Sequence, residues 1–560
     1  MRNETELKNE HIRWLKCTAH NEDISTELKG LNEDGITDGF YRDLAFGTGG
    51  LRGVIGAGTN RMNVFTVAKA SQGLANYVNK YFSDSPSIAI AYDSRIKSDL
   101  FSETAAGVFA ANGIKAYIYP ELMPTPCLSY AVRALGCSAG IVITASHNPS
   151  KYNGYKVYGL DGCQITTEAA AAILAEINKL DIFDDVKSMS FEGAIHECLI
   201  EYIGEEVNTA FIEEVKGQSV LFGDEINRDV AIVYSPLNGT GLKPVTRALQ
   251  ESGFTNITVV AEQEKPDGNF PTCPYPNPEI REAMELGLQY CEKTGADLLL
   301  ATDPDADRCG IAVRDGSEYR LITGNEVGLL LLDYICSQRK KHGKMPDHPV
   351  FVKTIVTMDL AEKIAAHYGV ETVNVLTGFK FIGEVIGRLE AAGRESDYIC
   401  GFEESYGYLT GTYVRDKDAV NAAFMICEMF AYYKTRGISL LDKLSEIYTT
   451  YGYCMNTLHS YQFEGASGML KMQEIMGHFR EEVNTIGRLK VENTLDYSQG
   501  LDGLPKSDVI KYLLEGGSSV VIRPSGTEPK LKTYISVIGN DRASAEIIEA
   551  EIKNTLEQKM

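Results

Sequence analysis

One pattern occurs three times between residues 88 and 407 and constrains the fold more than any other feature. Each copy reads as a short apolar strand, a helix, a second strand, a second helix and a third strand that ends in a polar loop. The first copy has strands at 88–92, 116–119 and 140–144, then a loop reaching Pro149. The second has strands at 230–234, 257–260 and 297–301, then a loop from Thr302 to Asp307. The third has strands at 350–353, 372–376 and 397–400, then a loop that begins at Gly401. Apolar runs without alternation suit strands buried on both faces. The helical periods between them, at 68–82, 279–291 and 421–433 for example, make these βαβ units of a mostly parallel sheet. The fold class is therefore α/β. Ligands of such sheets bind beyond the carboxyl ends of the strands, so the three loops are predicted to share one cleft.

The pattern stops near residue 445. Helices are expected at 466–482 and 541–557, and strands at 519–522 and 533–537, with Arg523 to Lys530 (RPSGTEPK) between those strands. This is a separate α+β unit. Residues 1–40 read as a polar helical extension. The expected division is 1–40, 41–210, 211–325, 326–445 and 446–560, with joints soft by ten residues or more.

Composition narrows the partners. Asp and Glu number 77 against 54 Lys and Arg, a formal charge of −23. That field repels polyanions, so no nucleic-acid partner is expected. No apolar run approaches the length of a membrane span, and the amino-terminal residues carry no apolar core of the kind a secretory signal needs. The 12 cysteines stand singly, without a C-x-x-C pair. They read as reduced, mostly buried thiols of a cytoplasmic protein.

Four loops carry chemistry. Thr144 to Pro149 (TASHNP) sets Ser146 on a tight strand-to-loop turn, with His147 beside it to position a phosphate or carry a proton. A serine hydroxyl is a weak nucleophile and needs activation or a pre-installed phosphoryl group. Asp303 to Arg308 (DPDADR) places carboxylates at alternate positions of a segment read as extended, so Asp303, Asp305 and Asp307 are expected on one side. Three such charges repel unless a cation sits between them, and Mg²⁺ suits hard oxygens while keeping room for a phosphate oxygen. An EF-hand is excluded, because Arg308 and Arg314 occupy the positions of its required Gly and Glu. Gly401 to Gly407 (GFEESYG) offers Glu403 and Ser405, a carboxylate and a hydroxyl suited to sugar hydroxyls. Arg523 to Lys530 offers a guanidinium, hydroxyls and accessible backbone N–H groups, a phosphate cradle without the Walker spacing. Together they ask for phosphoryl transfer on a phosphorylated sugar.

With these motifs in this order, the chain resembles the α-D-phosphohexomutase family. The resemblance runs from about residue 40 to the end, and the joint match is far more specific than any single motif. It implies a four-domain, heart-shaped architecture of three similar α/β domains and a smaller α+β domain. It also implies residue roles. Ser146 resembles the family's phosphoserine, and Asp303, Asp305 and Asp307 its Mg²⁺ ligands, with the Ser146 phosphoryl oxygen as a further ligand. Glu403 and Ser405 resemble the sugar-holding pair. Arg523, Ser525, Gly526 and Thr527 resemble the site for the non-reacting phosphate, and Arg308 is placed with the substrate-binding residues. Arg52, in a glycine-rich turn, resembles an arginine that helps organise the catalytic loop. Lys156 and Lys417 match positions with proton-transfer or phosphate-orienting roles, and Lys380 lies in the family's specificity loop. In part of the family a histidine follows the glycine of that loop. Here Phe379 stands there, which favours glucose phosphates over mannose phosphates.

The implied reaction interconverts glucose 1-phosphate and glucose 6-phosphate, with glucose 1,6-bisphosphate as intermediate and activator. Mannose or pentose phosphates would use the same motifs. A Mg²⁺-dependent sugar-phosphate phosphatase is the competing class, and a sugar-phosphate sensor a third reading. Lys156, Lys417 and His147 stay open as general bases. A basic lysine needs a lowered pKa, which two ammonium groups in one cleft are expected to give each other. A hinge near residue 445 is expected to let the last domain close.

Overall fold

The computed structural model describes residues 2–47, 49–82, 84–463, 465–524 and 530–560. The first sheet has six strands, β1 (Gly50–Val54), β2 (Ser87–Tyr92), β3 (Lys115–Ile118), β4 (Ala139–Ile143), β5 (Tyr152–Gly159) and β6 (Ile200–Tyr202), in the order β1-β5-β4-β2-β3-β6. The second has five, β7 (Ile232–Ser235), β8 (Ile257–Val259), β9 (Leu298–Thr302), β10 (Cys309–Asp315) and β11 (Glu318–Ile322), in the order β11-β10-β9-β7-β8. The third has four, β12 (Val350–Thr354), β13 (Glu371–Val375), β14 (Tyr398–Glu403) and β15 (Gly407–Leu409), in the order β13-β12-β14-β15.

All nine repeat strands form, and in each sheet the first of a copy lies between the second and the third, parallel to both. Beyond that, each third strand pairs antiparallel with the strand that follows it, β4 with β5, β9 with β10 and β14 with β15. Each polar loop is thus the tip of a hairpin at the carboxyl edge of its sheet. Both ends of the loop are pinned to neighbouring strands, which is what holds a functional side chain still.

The amino-terminal extension forms three helices, Glu4–Cys17, Glu22–Gly30 and Glu33–Phe40. Asn3, Asn21 and Asn32 cap them, each accepting from a backbone N–H of the first turn. The buried Trp14 meets Phe40 of the extension and Phe65 and Phe183 of the first α/β unit edge-on, so the extension packs on that unit as expected. Cys198 is exposed, Cys17 half-buried and the other cysteines buried, all of them free. Among the described residues no helix is long and apolar enough to cross a membrane.

The last unit is a six-stranded antiparallel sheet that begins with β16 (Tyr453–Gln462) and is covered by helices Gly465–Arg480 and Arg542–Glu557. Helix Leu440–Tyr451 runs unbroken through residue 445 and ends at Gly452, where φ is +105°. Residue 445, expected as a joint, thus lies within a helix, and Gly452 is the first residue after it. The joints expected at 210 and 325 likewise fall inside helices, Glu205–Gly217 and Gly324–Lys341.

A buried ionic knot ties the last unit to the third. Asp359 accepts from Lys353 at 2.7 Å and, across the boundary, from Lys511 at 2.8 Å and the Ser519 hydroxyl at 2.8 Å. Lys511 also donates to the Ile355 carbonyl at 3.1 Å. Lys511→Met removes both bonds but leaves Asp359 paired with Lys353, so the expected cost is about 2 kcal/mol. Calorimetry should show an earlier transition for the last unit, and limited proteolysis faster cutting around Gly452.

Candidate active site

Ser146 follows β4 with φ +54°, a left-handed conformation rare for a residue with a side chain. Its amide donates to Thr144 Oγ1 at 2.8 Å, and the Thr144 hydroxyl donates to Asp93 Oδ2 at 2.6 Å. The loop is then gripped by Arg95. Its guanidinium donates to the carbonyls of Ser146, Asn148 (2.6 Å), Pro149 (3.1 Å) and Tyr152 (3.1 Å). Arg95 Nε lies 3.2 Å from Asp93 Oδ2, and neither side chain touches solvent. Sequence reasoning missed this pair. The available signal was an Asp-x-Arg placed just past the carboxyl end of a parallel strand. Arg52, given the loop-organising role, is exposed on β1 and makes none of these bonds.

Ser146 Oγ donates to Asp303 Oδ2 at 3.1 Å and lies 3.2 Å from His147 Nδ1. Burial, together with Arg308 and Arg52, holds the His147 pKa well below the usual value, so the ring is neutral.

Asp303, Asp305 and Asp307 are buried, and one oxygen from each lies within 4.8 Å of the others. The reason differs from the one expected. Residues 303–306 form a turn with Ala306 at φ +48°, so the carboxylates converge through a bend and not by alternation along a strand. Asp305 Oδ1 and Asp307 Oδ1 are buried without a hydrogen-bond partner. Burial and the charges of Asp307 and Asp305 push Asp303 well up. Burial would raise Asp305 too, but the ammoniums of Lys156 and Lys417 hold it down. Orphaned oxygens and a carboxyl driven towards protonation by its neighbours are what a hard divalent cation relieves, so the triad fits Mg²⁺.

Both lysines end on this triad. Lys156 Nζ donates to Asp305 Oδ2 at 2.8 Å and lies 3.5 Å from Asp307 Oδ2, and Lys417 Nζ is 2.8 Å from Asp307 Oδ2. The expected lowering of their pKa values is overturned. Burial does lower each, and Lys417 lowers Lys156 further, but the facing carboxylates outweigh both and the net shift is upward. As they stand, both are ammonium groups.

Backbone contacts bring the loops together. Thr125 of the first unit bonds Asp305 twice, from its amide to the carbonyl and from Oγ1 to Oδ2, each at 2.9 Å. The Cys309 amide donates to the Tyr406 carbonyl at 3.0 Å and the Ala419 amide to the Ala306 carbonyl at 3.2 Å, joining the second unit to the third. Glu403 ends β14, and its Oε1 accepts from the Gly378 amide at 3.0 Å. That bond ties Glu403 to the start of the helix carrying Lys380. Burial raises the Glu403 pKa against the pull of Lys417 and Arg308. Ser405 lies half-buried in the turn after the strand, so the alternation read from the sequence ends at Glu403. Lys380 is half-buried at the start of helix Phe379–Ala391, where burial lowers its pKa. Arg308 is committed to an ion pair with Glu279, although its Nε has no hydrogen-bond partner. Arg523, at the end of the strand Ser519–Pro524, lies close enough to Tyr534 and Glu404 to act on both electrostatically. Ser525, Gly526 and Thr527 lie outside the described residues.

Four family models match in succession, each described as phosphoglucomutase/phosphomannomutase: alpha/beta/alpha domains I, II and III at residues 43–182, 209–316 and 323–451, and the C-terminal domain at 474–554. The chain belongs to the phosphoglucomutase/phosphomannomutase family. It is 38% identical over 535 residues to a phosphoglucomutase of Staphylococcus saprophyticus, covering 91% of this chain and 95% of the relative. It is 38% identical over 513 residues to one from Staphylococcus aureus, covering 89% of this chain and 90% of the relative. Two solved structures share the family fold. One is a putative phosphomannomutase of Thermus thermophilus, at 21% identity and TM-score 0.69, with 92% of this chain and 99% of that one covered. The other is the Paramecium phosphoglucomutase parafusin in an open form, at 19% identity and TM-score 0.70, with 93% and 96% covered. The four-domain architecture expected of the phosphohexomutase family is present.

Proposed function

We propose that the protein is a phosphoglucomutase that interconverts glucose 1-phosphate and glucose 6-phosphate. One observation carries the reading. The Ser146 hydroxyl lies 3.1 Å from a buried aspartate triad with unpartnered oxygens, in a chain 38% identical to phosphoglucomutases over most of both lengths. Phospho-Ser146 gives its phosphoryl group to the free hydroxyl of the bound monophosphate. The P–O bond to Ser146 breaks as the bond to the sugar oxygen forms, leaving glucose 1,6-bisphosphate. The bisphosphate turns over, and its other phosphoryl group returns to Ser146. Asp303, Asp305 and Asp307 would hold Mg²⁺, which when bound supplies positive charge to the phosphoryl oxygens.

This chain's own groups do the rest. The proton of the attacking sugar hydroxyl ends on the departing Ser146 oxygen, and in the return transfer the serine proton ends on the sugar oxygen that is released, with neutral His147 against Ser146 Oγ to relay it each way. Lys156 and Lys417, charged, orient the phosphoryl oxygens and balance their charge. Such transfers pass through a loose transition state and depend mainly on positioning and electrostatics, so they need little early removal of the attacking proton. Glu403 and Ser405 grip the sugar hydroxyls in either orientation. Arg308 and Lys380 flank the sugar, and Arg52 stands at the cleft's edge. Arg523 with residues 525–527 takes the idle phosphate. Gly452 lets the last domain close over the cleft and exclude water, so the phosphoryl group is not hydrolysed.

The test is a coupled assay for glucose 6-phosphate formed from glucose 1-phosphate, with Mg²⁺ and a trace of glucose 1,6-bisphosphate. Mannose and pentose 1-phosphates run beside it, and released inorganic phosphate is measured throughout. Turnover fastest on glucose 1-phosphate without phosphate release is the expected result. Preference for mannose or pentose phosphate would move the substrate within the family, and stoichiometric phosphate release would make the protein a phosphatase. In the same assay, chelation with EDTA is expected to lower turnover on the order of 10³-fold, and added Mg²⁺ to restore it.

A further inference from the structure

Strand β5 carries Lys156 and Tyr158, two residues apart and therefore on the same face. Lys156 reaches Asp305 directly. Tyr158, with no exposed surface, donates from its hydroxyl to Asp416 Oδ2 at 2.7 Å, across the boundary between the first and third domains. The other Asp416 oxygen, Oδ1, accepts the Lys417 amide at 2.9 Å and lies 3.6 Å from Lys417 Nζ. Lys417 Nζ then meets Asp307 Oδ2 of the second domain at 2.8 Å. The loop is bolted once more where the Arg415 amide donates to Ser129 Oγ at 2.9 Å.

We propose that Tyr158 and Asp416 are positioning residues that aim the Lys417 ammonium into the cleft, so that one strand of the first domain sets both lysines, Lys156 by its own side chain and Lys417 through this relay. The inference rests on the mutase reading above. Asp416 has two oxygens and two claimants. While the Tyr158 hydroxyl occupies Oδ2, the carboxylate is held in the orientation that leaves Lys417 free to reach Asp307. Without that hydroxyl, Oδ2 is a buried acceptor lacking its donor, and the Lys417 ammonium already lies 3.6 Å from the other oxygen of the same carboxylate. The ammonium is then drawn back from the cleft. Burial and the charge of Asp416 raise the Tyr158 pKa well above the usual value, so the hydroxyl stays a donor.

The experiment is a double-mutant cycle on the full chain with Mg²⁺ present. Tyr158→Phe is expected to lower kcat on the order of 10- to 100-fold. KM should stay within about twofold, because the hydroxyl acts on an ammonium's position and not on substrate affinity. In a Lys417→Met background the same change should alter kcat by less than about twofold, since nothing is left to aim. Tyr155→Phe is the control. Tyr155 sits on the opposite face of β5 and bonds Ser71 at 3.1 Å inside the first domain, so its loss should lower stability and spare kcat. If Tyr158→Phe does not fold, judged by circular dichroism, Asp416→Asn takes its place with the same expectations. An unchanged kcat, an effect confined to KM, or an equal factor in both backgrounds would overturn the relay. Absence of parent turnover on any sugar phosphate would remove the mutase reading and the relay with it, whereas parent turnover with an unaffected variant removes the relay alone.

Discussion

Ser146→Ala should lower glucose 1-phosphate turnover by ~10⁴-fold or more, because removal of a covalent nucleophile is among the costliest single changes an active site can suffer. Thermal unfolding should barely move. The Ser146 hydroxyl makes contacts to Asp303 and His147, while the loop itself is held by backbone groups bonded to Thr144 and Arg95. Alanine keeps those backbone bonds. It also keeps the left-handed strain at φ +54°, since it too has a Cβ. Ser146→Gly separates strain from chemistry. Glycine adopts that conformation freely, so this variant should be equally inactive yet more stable than the alanine variant by about 1 kcal/mol. Intact-protein mass spectrometry should find one phosphoryl increment on the parent after exposure to glucose 1,6-bisphosphate, and none on either variant. Turnover by Ser146→Ala within tenfold of the parent would mean that another group carries the phosphoryl.

Much of this site could be read before any coordinates. The nine core strands announced themselves as apolar runs, because strands covered on both faces leave no room for polar alternation. Their third-strand loops stood out because carboxylates and a serine directly after such runs have no structural use. The return strands β5, β10 and β15 did not stand out. Tyr152–Gly159 has glycines at both 154 and 159 and a lysine within, and Gly407–Leu409 is three residues long, so neither carries a period to detect. Hence the sequence does not announce the hairpins, and the aspartate loop reads as extended although it is a turn. The lysine pKa values were misjudged for a related reason. Which charges face Lys156 and Lys417 depends on pairing between domains, through Asp305 and Asp307, and separation along the chain does not encode it. Arg95 was overlooked because its partners are carbonyl oxygens, which every residue has and no motif records.

Arg95→Met is expected to cost about 3–5 kcal/mol, since it leaves Asp93 as a buried carboxylate without its guanidinium. The cleft loses as much as the core. The carbonyls of residues 146, 148, 149 and 152 give up their common donor, so the turn presenting Ser146 is no longer held. A drop in kcat on the order of 10²-fold follows from misplacing the nucleophile. Arg95→Lys should rescue little, because one ammonium cannot reproduce a planar fork spread over several carbonyls. The stability loss should depend on pH with a definite sign. Burial already raises the Asp93 pKa, opposed by Arg95, so removing Arg95 raises it further. The folded variant then binds the Asp93 proton more tightly than the unfolded chain does. Between the ordinary carboxylate pKa and the raised one, stability must therefore fall as pH rises. The gap between variant and parent should be wider at about pH 8 than at about pH 5, where a neutral Asp93 tolerates the missing partner. Calorimetry at the two pH values reads it directly. A gap equal at the two pH values would mean that Asp93 is held ionised by Thr144, Ser98 and the Arg95 amide alone, and that the guanidinium serves only the serine loop.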